Sequence, residues 1–143
     1  MVLRRDAIRE RLAKLEEVVS RLEGLRQVRR EDFLADFHHQ WLAERGLELG
    51  AQVLLDIGAH ILAGHFGESA TDNEDVLVRL GRCGVLSPGL QDRLRGLGGF
   101  RNLLAHGYLA IDPPRVWEVL QRSVIDFTDF EAEILAWLDK LDG

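Results

Sequence analysis

The sequence has few of the residues that would point to a secreted, membrane or β-sheet protein. It holds one cysteine, Cys83, among 143 residues, so no disulfide can form within the chain and a reducing cytoplasm is expected. Purely apolar runs such as residues 53–55 fall far short of the ~20 residues that a membrane-spanning helix needs. The first residues show no apolar segment typical of an export signal. Valine and isoleucine nowhere alternate with polar residues over a useful length, so no β-strand is predicted.

Positive charge is also scarce. The net charge is −6, which does not indicate a nucleic-acid-binding protein. Basic residues concentrate in residues 1–30, where nine Arg or Lys stand against five Asp or Glu, while in the remainder nine stand against nineteen. Two interpretations of the N-terminal arginines stay open: a solvated helix face, which is favoured, or a surface that meets RNA or an acidic partner. These arginines are Arg4, Arg5, Arg9 and Arg11.

Apolar residues recur with helical spacing along most of the chain. In a first segment, residues 2–28, they lie four and three positions apart and form one stripe. In a second long segment, Gly46 and Gly50 are expected to bend the helix, and Gly64 and Gly67 to end it. The two stripes consist of Ile8, Leu12, Leu15, Val19 and Leu22, and of Phe33, Phe37, Trp41, Val53, Ile57 and Ile61.

Three further helices are predicted from their start signals. Residues 71–74, TDNE, resemble a capping box and predict a short helix that stops near Cys83. Ser87 before Pro88 predicts a fourth helix, and Asp112 before a proline predicts the last one. That last helix is expected to bury Val116, Leu120, Phe127, Ile134, Leu138 and Leu141. The sequence therefore predicts one all-α domain over residues 1–143, an antiparallel bundle of four to five helices.

Residues 99–108, GFRNLLAHGY, carry the polar groups with the clearest chemical use. The guanidinium of Arg101 can hold a phosphate and spread its developing charge. The imidazole of His106 moves protons near neutral pH. Together they are the groups that break a phosphodiester without a metal ion. The plainer alternative makes Asn102 a buried amide paired with His106, and Tyr108 an ordinary capping aromatic.

Helical geometry limits how these groups can act together. At ~100° per residue, Asn102 and His106 differ by only ~40°, whereas Arg101 and His106 diverge by ~140°. A regular helix therefore does not aim both at one phosphate. Three solutions remain open: the long Arg101 side chain reaches sideways, Gly107 ends the helix and reorients the residues after it, or a second copy of the chain supplies the missing group.

Other polar residues favour structural interpretations. Asp56 and His60 lie four apart on an apolar helix and are interpreted as a hydrogen-bonded seam between helices or at a dimer contact, ahead of a catalytic role. No third ligand completes a metal site, so neither a metal nor another cofactor is expected. Cys83 is expected to be a small core residue. The three tryptophans are expected to anchor the core or an interface. They are Trp41, Trp117 and Trp137.

The spacing of arginine, four residues, histidine, one residue and tyrosine resembles the signature of the HEPN superfamily of ribonucleases. With the flanking residues 111–112 and 116–120, the segment 100–108 resembles the HepT type of HEPN toxin, the partner of MntA nucleotidyltransferases in type VII toxin–antitoxin modules. Residues 49–62 resemble the second helix of that family, and residues 76–85 the helix and turn before the motif. The likeness spans essentially the whole chain.

The resemblance implies a role for each matching residue. Arg101 would hold the scissile phosphate, His106 would act as acid or base, and Asn102 would orient the histidine or the phosphate. Tyr108 would be the residue to which the antitoxin attaches AMP, which blocks the site by bulk and negative charge. The family forms homodimers in which two motifs share one cleft, which would also answer the angular problem.

The first hypothesis is therefore a metal-independent endoribonuclease toxin, cytoplasmic and homodimeric. Its partners would be an RNA substrate, tRNA or mRNA, and an MntA-like nucleotidyltransferase, with no DNA and no membrane. The alternative is a non-catalytic HEPN-like module that binds a nucleotide or a nucleotidyltransferase. The acidic balance of residues 31–143 favours this alternative, because a cleft that cleaves RNA should be locally basic. A plain dimeric scaffold is a third possibility, and it would leave Arg101 and His106 with no task.

Overall fold

The computed structural model describes residues 2–143, and these residues form α-helices joined by short turns, with no strand among them. A one-turn π-helix, Leu62–Phe66, extends the third helix, and a short 3-10 turn, Tyr108–Ala110, precedes the last one. The all-α class predicted from the sequence is confirmed. The α-helices are α1 (Arg5–Arg26), α2 (Arg30–Ala35), α3 (Phe37–Ile61), α4 (Asn73–Arg82), α5 (Pro88–Leu94), α6 (Leu97–His106) and α7 (Pro113–Asp142).

Three long helices build the centre of the bundle. Helix α1 packs against α3 and α7, and α3 also packs against α7. The short helix α6 lies against α3 and α4, while α5 bridges α4 and α7. One continuous cluster of buried apolar side chains draws on all seven helices, with Phe33, Phe127 and Phe130 among its largest members. Burial of these stripes on facing helices is what holds the bundle together.

Gly46 and Gly50 lie inside one continuous helix, α3, where they allow close packing. A Cβ at Gly50 would lie 2.6 Å from the Phe127 ring, and one at Gly46 would lie 2.6 Å from a Leu22 methyl group. As expected, neither glycine ends the helix, and the bend expected at them stays a prediction beside this packing role. They let α1 and α7 approach α3 at the height of the central phenylalanines.

The second predicted helix is interrupted at Asp36. This residue has extended backbone angles and caps α3 by accepting a hydrogen bond from the His38 amide at 2.8 Å. Phe33 is fully buried on α2, but Phe37 and Trp41 lie on the outer face of α3, 72% and 68% exposed. The two rings therefore do not join the core of this chain, and for Trp41 the expected alternative, an interface, stays a prediction.

The far end of α3 also differs from the expectation. Gly64 does not end the helix but lies within the π turn, where a Cβ would meet the Leu3 backbone at 2.9 Å. Gly67 ends the turn with φ of +66°, a conformation that glycine adopts without strain. The cap of α4 lies one position beyond the predicted box, since Asp72 accepts from the Asp75 amide at 2.8 Å.

The predicted fourth helix is two helices. Ser87 caps α5 as expected, accepting from the Leu90 amide at 3.2 Å, but the helix stops at Leu94. Gly96, with φ of +90°, turns the chain and α6 begins at Leu97. The last helix starts at Pro113 as predicted, and of its expected core residues all but the half-buried Leu141 are buried.

One stretch, Phe37–Phe66, is long and apolar enough by length and composition alone to cross a membrane. Its most apolar window has a mean hydropathy of 1.3, and 56% of that window is buried inside the fold. The core helix of a helical bundle meets the same criteria.

Candidate functional site

The start of α6 is held by the first turn of α4. The carboxylate of Glu74 accepts hydrogen bonds from the Gly96 amide at 2.8 Å and from the Gly98 amide at 2.9 Å. These amides belong to the unpaired donors that every helix leaves at its N-terminus, and a carboxylate is their favoured partner. Glu74 therefore replaces the side-chain cap that the residue before α6, a glycine, does not offer.

The same two helices touch one turn further along, through Asn102. Its side-chain oxygen accepts from the amide group of Asn73 at 3.2 Å and from the Arg101 guanidinium at 3.5 Å. The Asn102 amide is thus oriented from α4, with its NH₂ group turned away from both donors. The plainer alternative, a buried Asn102 amide paired with His106, does not hold within residues 2–143, because Asn102 is exposed and its hydrogen-bond partners are Asn73 and Arg101.

Arg101 and His106 lie on different sides of α6. Arg101 is half-buried, and its Nε atom has no hydrogen-bond partner within residues 2–143. His106 is the last residue of the helix and is exposed. Because α6 is regular between them, the divergence of ~140° expected from helical geometry holds. The structure brings Arg101 and Asn102 together, and it does not join His106 to either of them within one chain.

Tyr108 comes after the helix in a turn that projects from the bundle. Gly107 ends α6, and the chain enters the 3-10 turn Tyr108–Ala110. The side chains of Tyr108 and Leu109 are 77% and 90% exposed. The Tyr108 side chain is therefore accessible from solvent, and Leu109 beside it adds exposed apolar surface.

Asp56 and His60 make separate contacts. Asp56 is exposed and accepts from Gln52 at 2.6 Å, one turn earlier on α3. The Nε2 atom of His60 accepts from the Arg4 backbone amide at 3.2 Å and so joins α3 to the start of α1. These contacts favour a structural role for both residues over catalysis.

Cys83 is half-buried at the end of α4 rather than enclosed in the core. Its thiol donates to the Glu68 carboxylate at 3.2 Å. Burial and the neighbouring carboxylate both raise the pKa of the Cys83 thiol. A raised pKa keeps the thiol protonated and poorly nucleophilic at neutral pH.

The described part of the chain contains no group of three or more His, Cys, Asp or Glu side chains arranged to hold a metal ion.

The whole bundle, including the motif helix, matches a known family. A model of the family described as ribonuclease HepT-like matches residues 8–134. The chain belongs to the HepT-like ribonuclease family. Among curated proteins, the tRNA nuclease HepT of Aphanizomenon flos-aquae is 27% identical over 135 residues, which cover 94% of this chain and 92% of the relative.

Solved structures share the fold of this HepT-like chain. The tri-AMPylated HEPN toxin of Shewanella oneidensis, in complex with its MNT antitoxin, aligns with a TM-score of 0.82 and 24% identity over 92% of this chain and 98% of that one. The cytosolic protein YutE of Bacillus subtilis, of unknown function, aligns with a TM-score of 0.85 and 19% identity over 98% of this chain and 94% of that one. At these identities the comparison shows that the fold is the same.

Two residues that support the motif helix, Asn73 and Glu74, could not be recognised from the sequence alone. Asn73 and Glu74 lie more than twenty positions before their partners on α6. Within the sequence they read as an ordinary helix start, because polar and acidic residues are common in a first helical turn. Only the glycines before the motif indicated that another helix approaches closely there. In the structure, Gly98 packs against the backbone of Asn73 and Glu74.

Proposed function

We propose that this chain is a metal-independent endoribonuclease and the toxin of a toxin–antitoxin pair whose antitoxin is an MntA-type nucleotidyltransferase. The observation that carries the proposal is the exposed end of α6, where Arg101, Asn102, His106 and Tyr108 succeed one another within a chain of the HepT-like ribonuclease family. The similarity to a protein named tRNA nuclease HepT supports RNA, and tRNA first, as the substrate class.

The chemistry needs two proton transfers and one phosphate clamp. The 2′-hydroxyl of the RNA attacks the adjacent phosphorus, the 5′-oxygen of the next nucleotide leaves, and a 2′,3′-cyclic phosphate forms. His106 takes the proton from the 2′-hydroxyl or gives one to the leaving oxygen. Arg101 stabilises the extra negative charge on the phosphorus oxygens, and the NH₂ group of Asn102 donates to one of them.

We further propose that two copies of the chain form the working site. The reaction needs two proton transfers, but the motif of one chain contains a single histidine. In addition, Arg101 and His106 diverge on their helix. A second copy related by a twofold axis supplies a second histidine and places it opposite the arginine. The exposed Leu109, directly after the motif, is apolar surface available to such a neighbour.

Tyr108 is proposed as the site of inhibition. Transfer of AMP to its phenol oxygen, with release of pyrophosphate from ATP, would place a bulky anion next to Arg101. RNA phosphate would then meet both steric block and like charge. The high exposure of this side chain supports its access by a nucleotidyltransferase.

The test is cleavage of purified tRNA and total RNA in EDTA by the wild-type protein, Arg101→Ala and His106→Ala. Each substitution is expected to lower the cleavage rate by ~100-fold or more, because it removes a clamp or a proton-transfer group. His38→Ala serves as the matched control, since that histidine is exposed on α3, far along the chain from the motif. In a parallel arm, the protein is co-expressed with an MntA-type nucleotidyltransferase and its intact mass is measured. AMP-sized increments are expected in the wild type and should be absent from Tyr108→Phe.

The controls decide between the two candidate functions. Loss of cleavage in both variants, with folding and the control intact, supports the ribonuclease. Intact RNA in every lane supports instead a non-catalytic module that binds a nucleotide or a nucleotidyltransferase. Two observations favour the non-catalytic module: Arg101 and His106 are separated within one chain, and the net charge is −6.

A further inference from the structure

A second group of arginines lies beside the motif helix, around a cavity between the α5–α6 joint and α7. Two of them, Arg93 and Arg95, come from the joint, and two, Arg115 and Arg122, come from α7. Although the chain is acidic overall, residues 93–122 contain five arginines and two acidic residues. The fold therefore brings four arginines together around this cavity, beside the start of the motif helix.

The four arginines differ in how they are paired. Arg93 donates to Asp126 at 2.7 Å and to Asp129 at 2.8 Å, and Arg95 forms an ion pair with Asp92 at 2.9 Å. By contrast, Arg115 and Arg122 are exposed and form no ion pair within residues 2–143. Two guanidinium groups on the cavity wall are thus free to hold a ligand.

Asp126 is the carboxylate that faces the same cavity, and its ion-pair partner is Arg93. It is buried, and burial raises its pKa, while the Arg93 guanidinium and, to a smaller extent, the charge of Arg122 oppose that rise. Because Arg93 already bridges Asp126 and Asp129, neither carboxylate needs Arg115 or Arg122 as a partner. The free positive charge of the cavity therefore lies on α7.

The cavity borders the start of the motif helix. Gly96, Leu97 and Phe100 from the start of α6 form part of its lining, and Phe100 directly precedes Arg101. Arg115 and Arg122 are seven residues apart on α7, which places them on one face at a separation of ~10 Å along the helix. The spacing of the two side chains is of the order that separates successive phosphates along an extended nucleic-acid strand, and both lie on the wall of the cavity that borders the motif helix.

We infer that Arg115 and Arg122 form a binding track for the phosphates of single-stranded RNA next to the scissile phosphate. The inference rests on the proposed function, since it assigns the occupant of the cavity from the substrate of the adjacent site. Planar guanidinium groups suit phosphate oxygens, and each phosphate contact adds affinity that weakens with salt. The track supplies the locally basic surface that the acidic chain as a whole does not offer.

The experiment measures binding without cleavage, in the His106→Ala background. A labelled single-stranded RNA of ~20 nucleotides is titrated by fluorescence anisotropy at several salt concentrations, against protein with and without Arg115→Gln/Arg122→Gln. The double variant should bind at least ~10-fold more weakly, and its plot of log K against log salt should be shallower by ~1 to 2. Arg82→Gln/Lys140→Gln is the matched control, because it removes two exposed positive charges that form no ion pair within residues 2–143 and leaves the same net charge.

Each outcome separates the track from the proposed function. Equal affinity and slope for the two double variants overturns the track, and cleavage that still depends on Arg101 and His106 leaves the ribonuclease proposal standing. Failure of the His106→Ala protein to bind RNA also overturns the track, and the cleavage assay of the wild type then decides the ribonuclease proposal separately. If the glutamine variant does not fold, Arg115→Lys/Arg122→Lys should retain the slope, and Arg115→Glu should abolish binding. Loss of antitoxin binding with unchanged RNA affinity would assign these arginines to the protein partner instead.

Discussion

At the scale of single residues, Asn102 depends on Asn73 for its orientation. Asn73 donates to the Asn102 oxygen, which leaves the Asn102 NH₂ group for the phosphate contact that we propose. Asn73→Asp turns the donor into an acceptor of nearly the same shape, so the Asn102 amide must rotate and donate to Asp instead. We expect RNA cleavage to fall by ~10- to 100-fold, while the thermal midpoint stays near that of the wild type.

A double-mutant cycle separates this effect from a general loss of structure. In the Asn102→Ala background, the change at position 73 should cause no further loss of cleavage. An equal loss in both backgrounds would show that Asn73 acts through some other group. The substitution itself favours the fold locally, because an acidic residue in the first turn of α4 complements the helix dipole.

At the scale of helices, the joint between α4 and α6 requires a glycine. A Cβ at Gly98 would lie 2.7 Å from the Glu74 backbone nitrogen and 3.0 Å from the Asn73 carbonyl carbon, whereas Gly99 faces open space. Gly98→Ala should therefore push α6 away from α4 and lower the free energy of unfolding by ~1–3 kcal/mol. Gly99→Ala should be neutral or stabilise by up to ~1 kcal/mol, because alanine favours a helix.

Urea unfolding of the two variants gives the stabilities, and hydrogen exchange of the α6 amides shows where the change occurs. Equal stabilities would mean that the two helices separate without cost, and would remove the reason for treating their contact as the support of the motif.

Helical periodicity located the helices because burial on one face leaves a repeating pattern in the sequence. It did not locate the breaks at Asp36 and Gly96, because each depends on backbone angles and on contacts with distant helices. The same limit applies to the site. Arg101 and His106 were recognisable as chemical groups, but Glu74 and Asn73 act through hydrogen bonds to residues far along the chain, which no local pattern records.

At the scale of the whole molecule, the carboxyl groups respond to acid in opposite directions. Burial raises the pKa of Asp126, Glu44 and Glu131, so their protonation at low pH favours the folded chain. Around Arg79 the sign reverses. The hydrogen bond from the Arg79 guanidinium and the one from the Thr71 backbone amide hold the pKa of Asp75 below its ordinary value.

The contribution of Arg79 to the pH dependence of the free energy of unfolding can be measured by substituting this one residue. The Cys83 thiol and Arg79 also hold the pKa of Glu68 below its ordinary value. Groups with lowered pKa stabilise the fold above the ordinary carboxyl range near ~4 and lose that stabilisation as pH falls through their lower folded values. Arg79→Gln should therefore narrow the drop in urea midpoint between pH 6 and pH 3, while Arg45→Gln, which removes a surface pair, leaves it unchanged. A drop of the same size in Arg79→Gln would show that the acid response of the bundle comes from carboxylates outside this cluster.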